Sequence, residues 1–174
     1  KTLVGIMQST MSNPDASVTK SDLVRIVMID LENKTISQYL YKQEMKENSN
    51  TAIVALNDHQ FLVAERDDDF YKDNSNAFKR VYKIDVKNAT NLEQIQSSLQ
   101  MQQDEQLGLL IEEKTLEQYV LSAGWQGLAQ FKILPVAKTL VVDLVEKLHY
   151  RHDKVEGLWV IDEQHLAVIN DDDY

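Results

Sequence analysis

The sequence predicts an all-β protein that forms part of a β-propeller, with four-stranded antiparallel blades and one helical insertion near residues 92–123. Two observations support this prediction. Short runs rich in β-branched and aromatic residues alternate with polar turns, and some of these runs recur later in the chain in the same order. A β-sandwich with a helical insertion is the alternative that the same pattern allows.

The strands before residue 43 are predicted from hydrophobic runs. Residues 24–31 are apolar on both faces, which is typical of a strand that is covered on both sides. The polar segment 32–35 then predicts a turn, and residues 35–42 complete a hairpin. A shorter run at residues 2–8 predicts the strand that precedes them.

Later runs of the same character predict further strands. The first four of them form one complete four-stranded unit, and the last two form a terminal hairpin. They are residues 52–57, 60–66, 78–86, 138–145, 158–161 and 166–169.

A segment of different character separates the third and fourth strands of the complete unit. Residues 104–122 place apolar side chains near a 3.6-residue period, and Gly124 follows as a helix stop. This predicts a helix within an insertion that spans residues 91–131. We expect the insertion to pack on the sheets through its apolar stripe.

One internal repeat relates the first hairpin of the complete unit to the last hairpin of the chain. Residues 52–70 align on residues 156–174 without a gap, at an offset of 104 residues. The alignment places the Asp run at 67–69 on the Asp run at 171–173. The two segments are therefore predicted to be equivalent hairpins in successive blades.

A second repeat aligns Arg25–Asn33 with Arg80–Asn88, at an offset of 55 residues, and so fixes the order of the strands. Together the repeats divide the single domain 1–174 into blade parts at residues 1–43, 51–146 and 155–174. Because a propeller needs at least about four blades, we expect this domain to be a fragment of a larger one. Unpaired edge strands favour association, so we also expect self-association through the open sheet edges.

The composition excludes several classes of function. The formal net charge is −10, which makes nucleic acid and anionic membrane surfaces poor partners. Without cysteine, the chain has no disulfide, no thiolate metal site and no cysteine nucleophile. The sequence has no apolar run of the ~20 residues that a transmembrane helix needs. Gly-rich phosphate loops, the Gly-x-Ser-x-Gly elbow and the His-Glu-x-x-His motif are absent too.

Several segments occur in the order seen in bacterial proteins with the "esterase-like activity of phytase" domain, which the chain resembles over nearly its whole length. The most specific are Glu65-Arg66-Asp67 and the hairpin from Glu156-Gly157-Leu158 to Asn170. The others are residues 2–9, 24–31, 53–70, 80–86, 135–140 and 170–174. The resemblance implies a propeller-like phosphoesterase domain, extracytoplasmic (periplasmic or secreted), with acidic residues as the active groups. It also implies a further Glu-Gly-Leu strand before Lys1.

Hairpin geometry predicts a candidate site on one rim. The start of the first strand and the end of the second lie at the same end of a hairpin, so Glu156 and the run 171–173 share a rim. By the repeat, residues 65–69 occupy that rim one blade earlier. Clustered carboxylates repel each other unless a cation lies among them, and Ca²⁺ or Mg²⁺ prefers such oxygen ligands.

These positions predict a metal-dependent phosphoester hydrolase acting on a small phosphoester substrate. Each residue has a predicted role, and Glu156 is either a ligand or the general base. The metal ligands are Asp67, Asp68, Asp171 and Asp172, the catalytic residues are Glu156 and Asp171, and the substrate-binding residues are Arg66, Arg151 and Lys154.

A structural interpretation of the same residues is also open. Asp runs at strand ends commonly form turns by accepting hydrogen bonds from nearby backbone N–H groups. Glu156 would then form an ion pair with Arg151 or Lys154 across the loop. On this interpretation the chain is a non-catalytic propeller that binds a ligand on a rim stiffened by Ca²⁺.

Overall fold

A computed structural model describes residues 1–171. The chain is mostly β with few helices, and its antiparallel sheets do not close on themselves in the described part. It divides into two compact units, residues 1–46 with 88–136, and residues 47–87 with the segment from 137 onward. No helix in residues 1–171 is long and apolar enough to cross a lipid bilayer.

The strands are β1 (Thr2–Ile6), β2 (Leu23–Asp30), β3 (Thr35–Lys42), β4 (Ser49–Ala55), β5 (Gln60–Arg66), β6 (Lys79–Asp85), β7 (Met101–Asp104), β8 (Gly108–Ile111), β9 (Lys114–Thr115), β10 (Ala137–Asp143), β11 (Val155–Val160) and β12 (Leu166–Asn170). The helices are α1 (Leu116–Gln130) and α2 (Leu144–Leu148), with short 3₁₀ helices at Ala16–Val18 and Leu92–Gln94.

The first unit contains a three-stranded sheet in the order β1-β2-β3, which confirms the three strands predicted there. The turn between β2 and β3 depends on Asp30. Its Oδ1 accepts hydrogen bonds from the backbone N–H groups of Glu32 and Asn33, at 2.9 and 3.1 Å. Such an Asx turn is closed by local hydrogen bonds and needs no contact from elsewhere in the fold.

The helix predicted at residues 104–122 is wrong in its first half. Residues 101–115 form a small sheet in the order β7-β8-β9, and alternate residues Leu109 and Ile111 are buried. Thr115 and Gln118 then form a capping box that starts α1 at Leu116. The apolar residues before Thr115 fit a strand period as well as a helical one, so periodicity alone did not separate them.

The predicted end of the helix, at Gly124, agrees better with the structure than its predicted start does. Gly124 has φ of +69° and breaks the helical backbone, although helix continues beyond it to Gln130. The apolar stripe of α1 packs on β2 and β3, as expected. This core contains Leu23, Leu40, Leu109, Ile111, Leu116, Tyr119, Val120, Leu128 and Ile133.

The second unit contains the complete four-stranded unit that the repeats predict. Its sheet has the order β10-β6-β5-β4, and the insertion enters between β6 and β10. One boundary differs, because Leu144 and Val145 are helical and not part of the last strand. Asp143 ends that strand and caps α2 by accepting hydrogen bonds from Val145 N and Glu146 N, at 3.1 and 2.9 Å.

The hairpin β11-β12 packs face to face against β4 and β5. Its inward residues Val155, Leu158 and Val160 meet Leu62 and Ala64 in one apolar core. This arrangement explains why these strands carry apolar residues at so many positions.

The two equivalent hairpins have the same strand pairing at an offset of 105 residues, one more than the gapless alignment predicts. Asn57 and Asp162 each cap the hairpin turn, accepting from the N–H groups two and three residues later. The β-bulges follow the same offset, at Thr51 and Glu156. The predicted equivalence of Asp67 with Asp171 is therefore wrong, since the offset of 105 makes Arg66 the counterpart of Asp171.

A buried ion pair holds α1 to β2 inside the first unit. Arg25 donates from Nε and Nη2 to Glu117 Oε1, at 2.9 and 2.8 Å, and both side chains are buried. Asn13 Nδ2 donates to the other oxygen of Glu117 at 3.3 Å. Removing one partner of such a pair leaves a buried charge without compensation.

We predict that Arg25→Met lowers the free energy of unfolding by about 3 kcal/mol, because Glu117 stays buried without its cation. The double variant Arg25→Met/Glu117→Leu removes both charges and should recover most of the loss. Urea denaturation followed by circular dichroism measures both effects. A loss below about 1 kcal/mol for Arg25→Met would contradict the prediction.

Candidate functional site

The candidate site lies in the second unit, where β4 and β11 begin and β5 and β12 end. Ser49 pairs with Arg66 at this end of the first hairpin, and Val155 pairs with Asn170 at this end of the second. The hydroxyl of Thr51 donates to the carbonyl oxygen of Val155, so the two strand starts adjoin. The rim predicted from hairpin geometry is therefore present in this unit.

Two buried cations lie side by side at this rim. Arg66 ends β5 and is directly opposite Lys79, which begins β6. Both side chains are buried. Like charges directly opposite each other on neighbouring strands are destabilising, and burial strengthens their repulsion. The fold therefore requires carboxylates beside them.

Arg66 is compensated from two directions. Its Nη1 bonds to Asp68 Oδ1, and its Nη2 bonds to Glu156 Oε1. Glu156 occupies the bulge of β11, outside the regular ladder, and so reaches β5 of the neighbouring hairpin. The ion pair predicted for Glu156 therefore forms with Arg66, where the sequence suggested Arg151 or Lys154.

Lys79 is compensated by Asp67. The Nζ of Lys79 bonds to Asp67 Oδ1 and, at 2.9 Å, to the carbonyl oxygen of Asp69. Asp67 Oδ2 also accepts from Phe78 N at 2.7 Å. The carboxylate of Asp69 accepts from Asn74 Nδ2 at 2.7 Å. Asp67 and Asp69 thus shape the loop after β5, as the structural interpretation predicts.

A further buried charge lies in the same sheet. Glu65 is fully buried and accepts hydrogen bonds from Lys138 Nζ and Asn48 Nδ2, each at 2.8 Å. The Lys138 ammonium also lies 3.9 Å from the centroid of the Tyr82 ring. The sequence singled out the acids of this rim but not Lys79 or Lys138. Lysines within otherwise apolar strand runs were the signal that could have identified them.

The remaining predicted residues are placed as follows. Arg151 and Asp171 are exposed, and neither takes part in the ion pairs of Arg66 and Lys79. Asp171 N donates to the carbonyl oxygen of Lys154 at 2.9 Å, which continues the ladder at the rim. Asp172 lies outside the described residues. The structure therefore brings Arg66, Asp67, Asp68 and Glu156 together.

The sequence model of the phytase-like family, described as esterase-like activity of phytase, matches residues 1–174, the whole chain. The chain belongs to the phytase-like family. No curated protein and no solved structure matches the sequence. The family resemblance predicted from the sequence is confirmed, and it indicates a hydrolase-like or β-propeller-like domain.

The rim of this phytase-like domain does not fit a divalent cation with the side chains described. Within residues 1–171, no three Asp, Glu or His side chains converge as metal ligands. The carboxylates of Asp67 and Asp68 face Lys79 and Arg66 instead. Since Asp172 is not among the described residues, the four-residue metal site stays a prediction.

A separate cleft of about 410 Å³ opens beside the same sheet of the phytase-like domain. Its lining includes Tyr71, Asn76, Arg80, Asp143, Glu146 and His149. Arg80 Nε donates to Asp143 Oδ2 at 2.7 Å, and its guanidinium lies 4.3 Å from the centroid of the Phe78 ring. The repeat of Arg80 with Arg25 was the only sequence signal for this position, and each arginine does bind a carboxylate.

In this cleft, the surroundings of Asp143 favour the ionised form of its carboxyl group. Burial alone would raise the pKa of Asp143, but the N–H groups of Glu146 and Val145 and the Arg80 guanidinium outweigh burial. Together they hold the pKa below its ordinary value of 3.8. Asp143 therefore stabilises the folded state in its ionised form.

We predict that the two neighbouring aspartates respond differently to removal of their charge. Asp67→Asn should lower the free energy of unfolding by about 3 kcal/mol, because Lys79 stays buried without its carboxylate. Asp68→Asn should change it by less than about 1 kcal/mol, because Asp68 is 76% exposed. Urea denaturation of both variants checks this, and equal losses would refute it.

We also predict a specific acid sensitivity for Asp143. Its lowered pKa adds stability that is present above the unfolded value of 3.8 and is lost as the pH falls through the folded value. The free energy of unfolding should therefore fall less steeply below about pH 4 in Asp143→Asn than in the wild type. Urea denaturation over a pH series measures this, and parallel curves would show that Asp143 contributes nothing.

Proposed function

We propose that the chain is a propeller-type domain of a phosphoester hydrolase, and that the rim at Arg66 and Glu156 takes the phosphoester. Family membership over the whole chain supports the hydrolase. The strand order supports the propeller, because a three-stranded meander, a four-stranded meander and a hairpin follow one another, as consecutive blade parts would. On the same family likeness, we propose an extracytoplasmic location.

The contact between Arg66 and Glu156 carries the proposal. It joins a guanidinium on one hairpin to a carboxylate on the next. Arg66 has a second bond, to Asp68. The Asp68 side chain is mostly exposed to solvent. Arg66 Nε is also buried without a hydrogen-bond partner among the described residues. A guanidinium held in this way can exchange an exposed carboxylate for a phosphate oxygen.

The proposed chemistry uses groups of this chain alone. A phosphate oxygen replaces Asp68 on Nη1 of Arg66, while Glu156 keeps its bond to Nη2. Glu156 then accepts a proton from a water molecule as the water oxygen bonds to phosphorus. The ester P–O bond breaks, and the departing oxygen takes a proton from solvent. Arg66 offsets the negative charge of the phosphoryl oxygens during this step.

The other predicted groups have supporting roles in this proposal. Arg151 and Lys154 precede β11 at the same rim, where their positive charge attracts an anionic substrate. Asp171 stays a predicted catalytic residue, and Ca²⁺ or Mg²⁺ a predicted cofactor. No step is assigned to a metal, because the carboxylates of Asp67 and Asp68 are bound to protein cations.

A non-catalytic binding module is the second candidate. It is favoured by Asp67 and Asp69, whose side chains accept from Phe78 N and Asn74 Nδ2 and so build a loop. On this view the rim presents a shaped surface to a ligand, and its charges only hold the sheet together.

The test is hydrolysis of an aryl phosphate and of a phosphodiester, with and without Ca²⁺ or Mg²⁺. We predict that Glu156→Gln lowers kcat about 100-fold, as expected on loss of a general base. Arg66→Lys should raise KM, because lysine keeps the charge but lacks the planar fork. Glu163→Gln, in the exposed turn at the far end of the same hairpin, is the matched control and should keep full activity.

Two outcomes would contradict the hydrolase proposal. One is the absence of turnover by the wild type on both substrates, and the other is equal activity of Glu156→Gln and Glu163→Gln. Thermal stabilisation by Ca²⁺ without turnover would instead support the binding module.

A further inference from the structure

The cleft beside Arg80 lies on the other face of the sheet from Arg66. Glu65 pairs with Arg80, and Arg66 pairs with Lys79. Successive side chains of a strand point to opposite faces, so Arg80 and Lys79 face opposite sides of the sheet. We call this cleft the Arg80 cleft, and it is a different surface from the rim where Arg66 meets Glu156. Its volume of about 410 Å³ is in the range of small-molecule sites.

One wall of the Arg80 cleft is the loop between β5 and β6, which is fixed by its own hydrogen bonds. Asp67 Oδ2 accepts from Phe78 N, and Asp69 Oδ2 accepts from Asn74 Nδ2, each at 2.7 Å. Asn74 Oδ1 in turn accepts from Asn76 N at 2.9 Å. These bonds hold the backbone of Asn76, while its side chain is exposed at the cleft. A wall that is ordered before binding lowers the entropic cost of binding.

A second wall is formed by α2 and by His149, which follows it. His149 has the left-handed backbone conformation, with φ of +50°. Glycine is the usual residue at such a helix end, because a Cβ atom disfavours this conformation. The His149 ring lies 5.9 Å from the Tyr71 ring, centroid to centroid, with the planes tilted by 42°. A histidine at a position that favours glycine therefore gives the cleft a pair of adjoining rings.

The charges of the Arg80 cleft do not favour an anion. Arg80 is the one arginine or lysine among the described lining residues, and its Nε donates to Asp143 Oδ2 at 2.7 Å. Glu146 is a second lining carboxylate and is bonded to Lys147. Both of these cations already have a carboxylate partner, so a phosphate would have to displace one. A ligand without net charge needs no such exchange.

The polar groups of the Arg80 cleft include both donors and acceptors. Ser75 and Asn76 are exposed there, and a hydroxyl or an amide can donate and accept. The guanidinium of Arg80 has further N–H groups besides the Nε that binds Asp143. Sugar hydroxyl groups also donate and accept, and the C–H face of a sugar ring packs on aromatic rings. The lining therefore matches the two kinds of surface that a sugar presents.

We propose that the Arg80 cleft binds a neutral carbohydrate. Tyr71 and His149 provide the surface on which a sugar ring stacks, and Asn76 and Arg80 bond to its hydroxyl groups. Asp143 holds the Arg80 guanidinium in place for these bonds. This inference is independent of the proposed hydrolysis, because the cleft and the Arg66 side chain lie on opposite faces of the sheet.

The experiment is isothermal titration calorimetry of the full chain with maltose, cellobiose, lactose and diacetylchitobiose, which are neutral disaccharides. At least one of them should bind with a Kd of about 1 mM or tighter. The titration is then repeated in inorganic phosphate at about ten times that concentration. Phosphate should leave the Kd of the sugar unchanged, since a neutral ligand and an anion would compete only at a shared site.

Three variants locate the bound sugar. Tyr71→Ala should raise its Kd about 10-fold, because the stacking surface is lost. Asn76→Ala should raise the Kd about 5-fold through the loss of one hydrogen-bonding side chain. Phe70→Ala is the matched control, because it removes a neighbouring exposed ring of the same loop that does not line the cleft. It should leave the Kd unchanged. Circular dichroism establishes that each variant is folded.

Three results would overturn the proposal. The first is the absence of binding by all four disaccharides at millimolar concentration. The second is an equal Kd in the wild type, Tyr71→Ala and Asn76→Ala, which would place the sugar elsewhere. The third is displacement of the sugar by inorganic phosphate, which would assign the cleft to anions.

Discussion

Arg66 and Lys79 occupy opposite positions on neighbouring strands, and both side chains are buried. Such a pair is tolerated only if negative charge surrounds it, because repulsion rises as water is removed. The fold supplies that charge from Asp67, Asp68 and Glu156. The acidity of this rim thus follows from the cations beneath it. In the Asp run at 67–69, the carboxylates of Asp67 and Asp68 are bound to cations of the protein and that of Asp69 to Asn74.

The same charges connect elements that are far apart in the chain. Asp67 and Lys79 close the loop between β5 and β6, while Glu156 and Arg66 join β5 to β11. Beneath them, the apolar residues between β4-β5 and β11-β12 supply the area that is removed from water. At the rim, the pair of Arg66 with Glu156 links β5 to β11 at one place, above the apolar contact that supplies the buried area.

The strands could be predicted from the sequence because their apolar runs and Asx turns are local signals. The segment 104–115 could not, since Leu107, Leu110 and Ile111 fit a helical period whereas Leu109 and Ile111 fit a strand period, and only the Thr115 cap decides between the two. At the site, hairpin geometry was enough to place Glu156 beside residues 65–69. Hairpin geometry alone could not identify Lys79 as their partner, because Lys79 begins β6 and belongs to neither hairpin. The one-residue error in the repeat arose from matching Asp58 to Asp162, when the turns match Asn57 to Asp162.

The two β-bulges have a further consequence. Thr51 and Glu156 hold the same place in successive hairpins, and each side chain bonds to the other hairpin, one as a neutral donor and the other as an anion. A bulged residue is released from the ladder, so its side chain can change while the neighbouring backbone pairs stay intact. Each repeat therefore has one position where the side chain can be substituted during evolution while the strand pairing stays the same. In such an architecture, copies of a single hairpin can diverge in function one bulge at a time.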